Sequence, residues 1–234
     1  GNTSDTICVS IFDYSKECGR GDFKGVNGEH VTSVLNTIAR IGVIDANHFG
    51  GNSWHTPYGP ICLHEQYIAQ MGLGINDSRY LNGYKKCLDF YRDNAIQPNG
   101  RGWPRWAYTT EDAMPGKYTS KGFYEAQWGY LLDSNPDFVS NVAELYDQTG
   151  DITWVKKQQA TCERALEYLL KRDFNGNHLV EMMNDNHTQK RSSDWIDIIW
   201  ASHENAFVNA KLYHALKLWS GIESNLGTAQ KPAY

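Results

Sequence analysis

Residues 190–216 read KRSSDWIDIIWASHENAFVNAKLYHAL. Asp194 and Asp197 bracket Trp195, Trp200 follows, and an amphipathic helical pattern begins directly after them. Carboxylates beside large apolar rings are material for acid–base chemistry. Apolar shielding and like-charge repulsion both raise a carboxyl pKa towards neutrality. The same residues also have ordinary structural uses, Asp194 as a helix N-cap and Asp197 as a first-turn acid favoured by the helix dipole. Both readings stand at this point.

A second signal is the use of aromatic residues. The chain of 234 residues carries 8 Trp and 14 Tyr, and aromatics reach 13%. Many stand in polar, Gly-rich stretches: NSWHTPYGP, NGRGWPRWAYTTED, YEAQWGY and SSDWIDIIW. Ring faces stack on the C–H groups of a pyranose while nearby carboxylates, amides and guanidinium groups take its hydroxyls. Packing of loops at a rim is the plainer use. Trp103, Arg105, Trp106, Glu111 and Trp128, together with Arg101, are the candidate sugar contacts on this ground. His55, His64 and Glu65 follow no standard zinc spacing, so neither a metal nor another cofactor is expected.

Bulk numbers restrict the classes further. A chain 41% hydrophobic and 21% charged suits a folded globular protein of one or two domains. The net charge of −5 provides no basic footprint for nucleic acid or an anionic membrane surface. No apolar run approaches the roughly 20 residues of a membrane span. Nucleic acid and membrane are thus not expected as partners. Cys8, Cys18, Cys62, Cys87 and Cys162 are dispersed with no C-x-x-C pair, which reads as mostly buried thiols, with at most one bridge near the N-terminus, rather than a disulfide framework.

The elements that must position these residues are helical. HVTSVLNTIARIGVI sets Val31, Val34, Leu35, Ile38 and Ile41 on one face, and SRYLNGYKKCLDFYRDNAI does the same with Tyr80, Tyr84, Cys87, Leu88 and Tyr91. NPDFVSNVAELYDQTG carries Phe138, Val142, Leu145 and Tyr146 at helical spacing, with Asn135 as its expected N-cap and Pro136 at the first helical position. Gly150 stops that helix, and Asp151 caps the next, whose face is Val155, Cys162, Ala165, Leu166 and Leu169. The final helix presents Val208, Leu212, Ala215, Leu216 and Trp219. TICVSIFDY and NHLVEMM read as short strands. Tight joints at one end and long, aromatic, acidic connections at the other describe antiparallel helical hairpins with a working rim. Residues 1–29 form a partly irregular N-terminal segment, and 30–234 one helical domain.

Taken in order, LLDSNPDFVSNVAELYDQTGD, RDFNGNHLVE, SSDWIDIIW and NAFVNAKLYHAL resemble the six-hairpin glycosidase superfamily. That superfamily includes glucoamylases, trehalases, the glucosidase half of glycogen-debranching enzymes, and inverting phosphorylases of β-linked disaccharides. The resemblance runs from roughly Gln97 to Leu216 and is to the superfamily rather than to one family within it. It implies an all-α chain forming part of an (α/α)6 toroid, and an inverting glycoside hydrolase acting on an oligosaccharide or polysaccharide. It further implies Asp197 as general acid, with Trp195 and Trp200 shielding it. Asp194 raises its pKa, binds hydroxyls, or is itself the catalytic acid in its place, and Asp133, ahead of an inner helix, binds sugar hydroxyls.

The chain also departs from that pattern. A closed barrel needs about twelve helices, on the order of 300 residues or more, whereas this sequence shows six or seven. The expectation is a partial barrel with its general base supplied from elsewhere. Its open edge predicts self-association or a partner completing the fold. Two other readings remain: a toroid polysaccharide lyase or sugar epimerase with Tyr or His as base, and a non-catalytic carbohydrate-binding helical module. A helical interaction domain with no sugar role would leave the aromatic rim without a purpose. Substrate type points to a secreted or periplasmic setting.

Overall fold

The computed structural model of the chain describes residues 24–39, 61, 63–72, 78–102, 117–118, 124–125, 132–182 and 203–227. They form six helices: α1 (Gly28–Ala39), α2 (Leu63–Gly72), α3 (Ser78–Asn94), α4 (Ser134–Thr149), α5 (Ile152–Leu170) and α6 (Ala206–Leu226). A two-residue antiparallel pair, β1 (Lys117–Tyr118) with β2 (Tyr124–Glu125), lies in the connection before α4. The described part is thus essentially helical. No helix among the described residues is long and apolar enough to cross a membrane.

α4 and α5 make the hairpin that their local chemistry dictates. Gly150 turns left-handed at φ 62° and its N–H closes on the Tyr146 carbonyl, a conformation that costs an L-residue with a Cβ about 1 kcal/mol or more. One residue on, the Asp151 carboxylate accepts the Trp154 N–H at 2.9 Å and so caps α5. Val155, Cys162, Ala165, Leu166 and Leu169 then bury as one stripe. α3 buries Tyr84, Cys87, Leu88 and Tyr91, and α6 buries Val208, Leu212, Ala215 and Trp219, as the spacing requires. Cys87 and Cys162 are buried free thiols, and burial pushes both well above the ordinary thiol range. Val34, expected on the packed face of α1, is 58% exposed. Thr32 is buried there instead, so the packed stripe is rotated around the helix.

Among the described helices α4 is the central one. It packs between α2 and α6, with α3 and α5 behind it, and every residue from Leu132 to Ala143 is buried. Such a helix needs its polar side chains bonded, and a ladder of amides between α2 and α4 does this. Asn141 Nδ2 donates to the Leu63 carbonyl at 2.8 Å, Gln70 Nε2 to the Asn141 carbonyl at 3.3 Å, and Gln148 Nε2 to the Gln70 carbonyl at 2.8 Å. Partner numbers rise together along both helices, so α2 and α4 run parallel. α6 runs the same way, since His64 and Tyr67 of α2 answer Lys211 and His214 of α6 in order.

The connections follow a pattern. Those that precede α2, α4 and α6 are long, and those that follow α2 and α4 are short. Because the three helices are parallel, the long connections all arrive at one end of the layer. The described part of the connection before α4 is pinned. Gln97 N–H bonds the Arg101 carbonyl at 2.8 Å, and Asn135 holds the turn from below. Asn135 Nδ2 donates to the carbonyls of Gly100 (2.8 Å) and Ala165 (2.9 Å), and its Oδ1 accepts the Gly102 N–H at 2.8 Å. It is therefore not the N-cap. α4 begins at Ser134 with Asp133 in the cap position, and Pro136 still falls in the first turn, where its missing N–H costs nothing.

Candidate functional site

The first two turns of α4 carry Asp133 and Asp137, one helical turn apart and both buried. Asp133 makes no capping hydrogen bond with its side chain. Both carboxylates turn instead to Lys211 of α6, whose Nζ lies 2.7 Å from Asp137 Oδ2 and 3.5 Å from Asp133 Oδ2. The same ammonium stands 4.3 Å from the centre of the Phe207 ring, one turn earlier on α6. Its three donors are thus directed at two carboxylates and an aromatic face.

Electrostatics spread from this ammonium. Burial pushes the Asp137 carboxyl up to about 6, with Lys211 opposing the rise by charge and hydrogen bond. His64, on the first turn of α2, is held down to about 4, first by burial and then by the Lys211 charge. Glu65 Oε1 stands 3.7 Å from its Nε2. Further along the wall the Tyr67 hydroxyl and His214 Nε2 share a hydrogen bond of 2.7 Å, their rings 5.9 Å apart and inclined at 71°. The Tyr67 hydroxyl is raised, by burial first and then by the Glu144 and Asp137 carboxylates. Three helices therefore line one polar wall on which carboxylates outnumber the ammonium. Buried as they are, with side chains 0% and 6% exposed, Asp133 and Asp137 make this wall negative, and the Asp137 carboxyl can hold a proton near neutrality. Among the described residues no group of three or more His, Cys, Asp and Glu comes together as a metal site.

The connection after α5 is built with similar care. Asp173 accepts the N–H groups of Gly176, Asn177 and His178 at 2.7 to 3.1 Å. Arg172 grips the carbonyls of Glu181 (2.7 Å) and Met182 (2.9 Å). Asn209 of α6 clamps Val180, accepting its N–H at 2.8 Å and donating to its carbonyl at 3.1 Å. These side-chain clamps satisfy the backbone of NHLVEMM, so its described residues 177–182 form no strand. Met182 N–H then bonds the His203 carbonyl at 2.7 Å, which ties together the described residues on either side of 183–202. His178 and His203 both hold left-handed backbone, at φ 68° and 54°. Left-handed backbone at residues other than Gly is uncommon and concentrates at functional positions.

Of the residues singled out by sequence, Asp133 is brought to this site, beside Asp137 and Lys211. Arg101 is buried in the pinned turn before α4. Asp194, Trp195, Asp197, Trp200, Trp103, Arg105, Trp106, Glu111 and Trp128 lie outside the described residues, as do His55 and TICVSIFDY. Sequence reasoning missed Asp137, Lys211, Tyr67 and His214. The available signal was Asp133 and Asp137 at i and i+4 on a helix otherwise apolar enough to be buried. A separate open cleft of about 800 Å³ lies between α3 and α5, lined by Arg92, Lys157, Thr161 and Arg164 among others. Arg92 is held there by Asp89 and Asp93, and Arg164 by the Gln97 carbonyl. Compared with protein-family models, with curated proteins and with solved structures, the chain matches none.

Proposed function

We propose that this chain is a glycoside hydrolase domain, inverting, built as part of an (α/α)6 toroid and acting on an oligosaccharide with Asp197 as general acid. One observation carries the reading. Asp133, Asp137, His64 and Lys211, from three parallel helices, converge at the end of the layer where the long connections arrive. The Met182–His203 bond brings both flanks of 183–202, the segment of Asp194 and Asp197, to the start of α6 at that same end. The alternation of α2, α4 and α6 with α3 and α5 behind them is what the inner and outer layers of a toroid require.

In this reading Asp133 binds hydroxyls of the sugar at the inner end of the site, with its carboxylate held by Lys211. Asp197 protonates the leaving glycosidic oxygen, and Trp195 and Trp200 keep its carboxyl protonated near neutral pH. The excess of carboxylates on the wall favours a neutral sugar over a uronate. The Tyr67–His214 pair favours a second reading, a toroid lyase or epimerase with Tyr or His as base. Burial makes the Tyr67 hydroxyl harder to ionise, which counts against Tyr67 as that base.

The test compares wild type with Asp197→Asn, each together with the part of the barrel that supplies the general base, on natural oligosaccharides and on a dinitrophenyl glycoside, whose leaving group departs without a proton. Loss of the general acid lowers turnover of the natural substrate about 10²- to 10⁴-fold and spares the activated one. If the completed wild type binds oligosaccharides but cleaves neither substrate, and the Asp197→Asn variant binds equally well, a binding module replaces the enzyme.

A further inference from the structure

Phe174 is 66% exposed, the highest value among the exposed large hydrophobic residues described. A single exposed ring needs no explanation by itself; the structure around this one does. Its loop is polar, with Asp173, Asn175, Asn177 and His178 as neighbours. The loop is also rigid for a surface connection, since Asp173 takes three backbone N–H groups and Asn177 Oδ1 takes the Leu179 N–H at 2.9 Å. The Arg172 guanidinium stands 5.4 Å from the Phe174 ring centre, and most of the ring faces solvent.

The loop is moreover fastened to another element. Asn175 Nδ2 and Asn177 Nδ2 both donate to Glu204 Oε1 at 2.7 Å. Glu204 adjoins His203, whose carbonyl receives the Met182 N–H, and Asn205, which caps α6. An aromatic face, two amides and a carboxylate are thereby set in a fixed array on the rim. A pyranose offers the complementary surface, C–H groups over the ring face and hydroxyls at its edge. Little ordering is needed on binding, because the loop is already held. Glu204 and Asp173 make the array unsuited to a uronate or a sulfated sugar.

We propose that Phe174, with Asn175, Asn177 and Glu204, forms an outer subsite that binds one pyranose unit of a neutral oligosaccharide, away from the bond that is cleaved. The proposal rests on the glycosidase reading above and deepens it, assigning the chain to substrates longer than a disaccharide. Only a long ligand reaches such a subsite, so its signature is the dependence of affinity on chain length.

The experiment is calorimetric titration of the full chain with neutral α- and β-linked gluco-oligosaccharides from disaccharide to hexasaccharide, using wild type, Phe174→Ala and Phe174→Trp. The ratio of hexasaccharide to disaccharide affinity is expected to fall about three- to tenfold in Phe174→Ala, the worth of one aromatic contact, and to be kept in Phe174→Trp. The same ratio in wild type and Phe174→Ala, with wild type binding both ligands, overturns the subsite and leaves the glycosidase reading standing. A wild-type chain that binds none of these oligosaccharides overturns both.

Discussion

Lys211 Nζ and Asp137 Oδ2 meet at 2.7 Å across the packed surface of α4 and α6, with the Asp137 side chain 6% exposed and that of Lys211 21%. Removing one partner leaves a buried charge without compensation, which is far more costly than removing both. Lys211→Met is expected to lower unfolding stability by about 3 kcal/mol in urea titrations, and the triple variant Lys211→Met, Asp133→Asn, Asp137→Asn, which neutralises both carboxylates facing Lys211, by clearly less. Equal losses in the two variants would mean that Lys211 contributes through packing of its alkyl chain rather than through its charge.

The pH dependence of stability follows from two groups whose shifts oppose each other. Folded His64 takes its proton only near pH 4, whereas the unfolded chain takes it near 6.5. The unfolded state binds more protons in that window, so acid favours unfolding. Folded Asp137 takes its proton near pH 6, against an ordinary 3.8. Here the folded state binds more protons, so acid favours folding. Each arm amounts to about 3 kcal/mol at most between pH 4 and 6.5, and wild type shows little net slope from the pair. Asp137→Asn is expected to lose stability as pH falls from 6.5 to 4, and His64→Gln to gain it over the same range. Chemical denaturation at half-unit steps of pH checks both signs.

Asn135 and the glycines it holds make a second kind of prediction. A Cβ at Gly100, already at φ 92°, would collide with the Arg164 carbonyl, and one at Gly102 would lie 2.7 Å from Asn135 Oδ1. At Gly150, by contrast, nothing stands within 4 Å, and only the left-handed backbone resists a side chain. Gly150→Ala should cost about 1 kcal/mol. Gly100→Ala should cost clearly more, and Asn135→Ala about 3 kcal/mol through three lost hydrogen bonds to buried backbone. Thermal unfolding of the three variants ranks them. A Gly150→Ala loss as large as that of Gly100→Ala would overturn the collision argument.

What was legible in the sequence is what is local. The stripe from Val155 to Leu169, the stop at Gly150 and the cap at Asp151 each depend on residues within one turn, and the structure has all three. An amide ahead of a proline has the local signature of a cap, but Asn135 does not serve as one. Its actual partners, Gly100, Gly102 and Ala165, are 30 to 35 residues away. Lys211 was passed over for the same reason. A lysine on an amphipathic helix looks solvated, and its carboxylate partners lie 74 and 78 residues earlier. Only the parallel packing of α4 and α6 brings them together.

Asn209 tests whether the connection after α5 is held by α6 or only by its own turns. Its amide bonds both backbone groups of Val180 and also donates to the Asn205 carbonyl at 3.0 Å. Asp173, Arg172 and the Met182–His203 bond hold the same connection independently. If α6 is the main support, Asn209→Ala frees the Val180 amide, and its hydrogen exchange accelerates about ten- to a hundredfold, the equivalent of one or two lost hydrogen bonds. The amides of the α4 core should keep their protection, because no bond of Asn209 reaches that helix among those described. Acceleration confined to Val180 and its neighbours means that α6 positions the rim segment directly. Uniform acceleration across α4 and α5 means that Asn209 supports the global fold, and unchanged exchange at Val180 means that Asp173, Arg172 and the Met182–His203 bond anchor the connection without it.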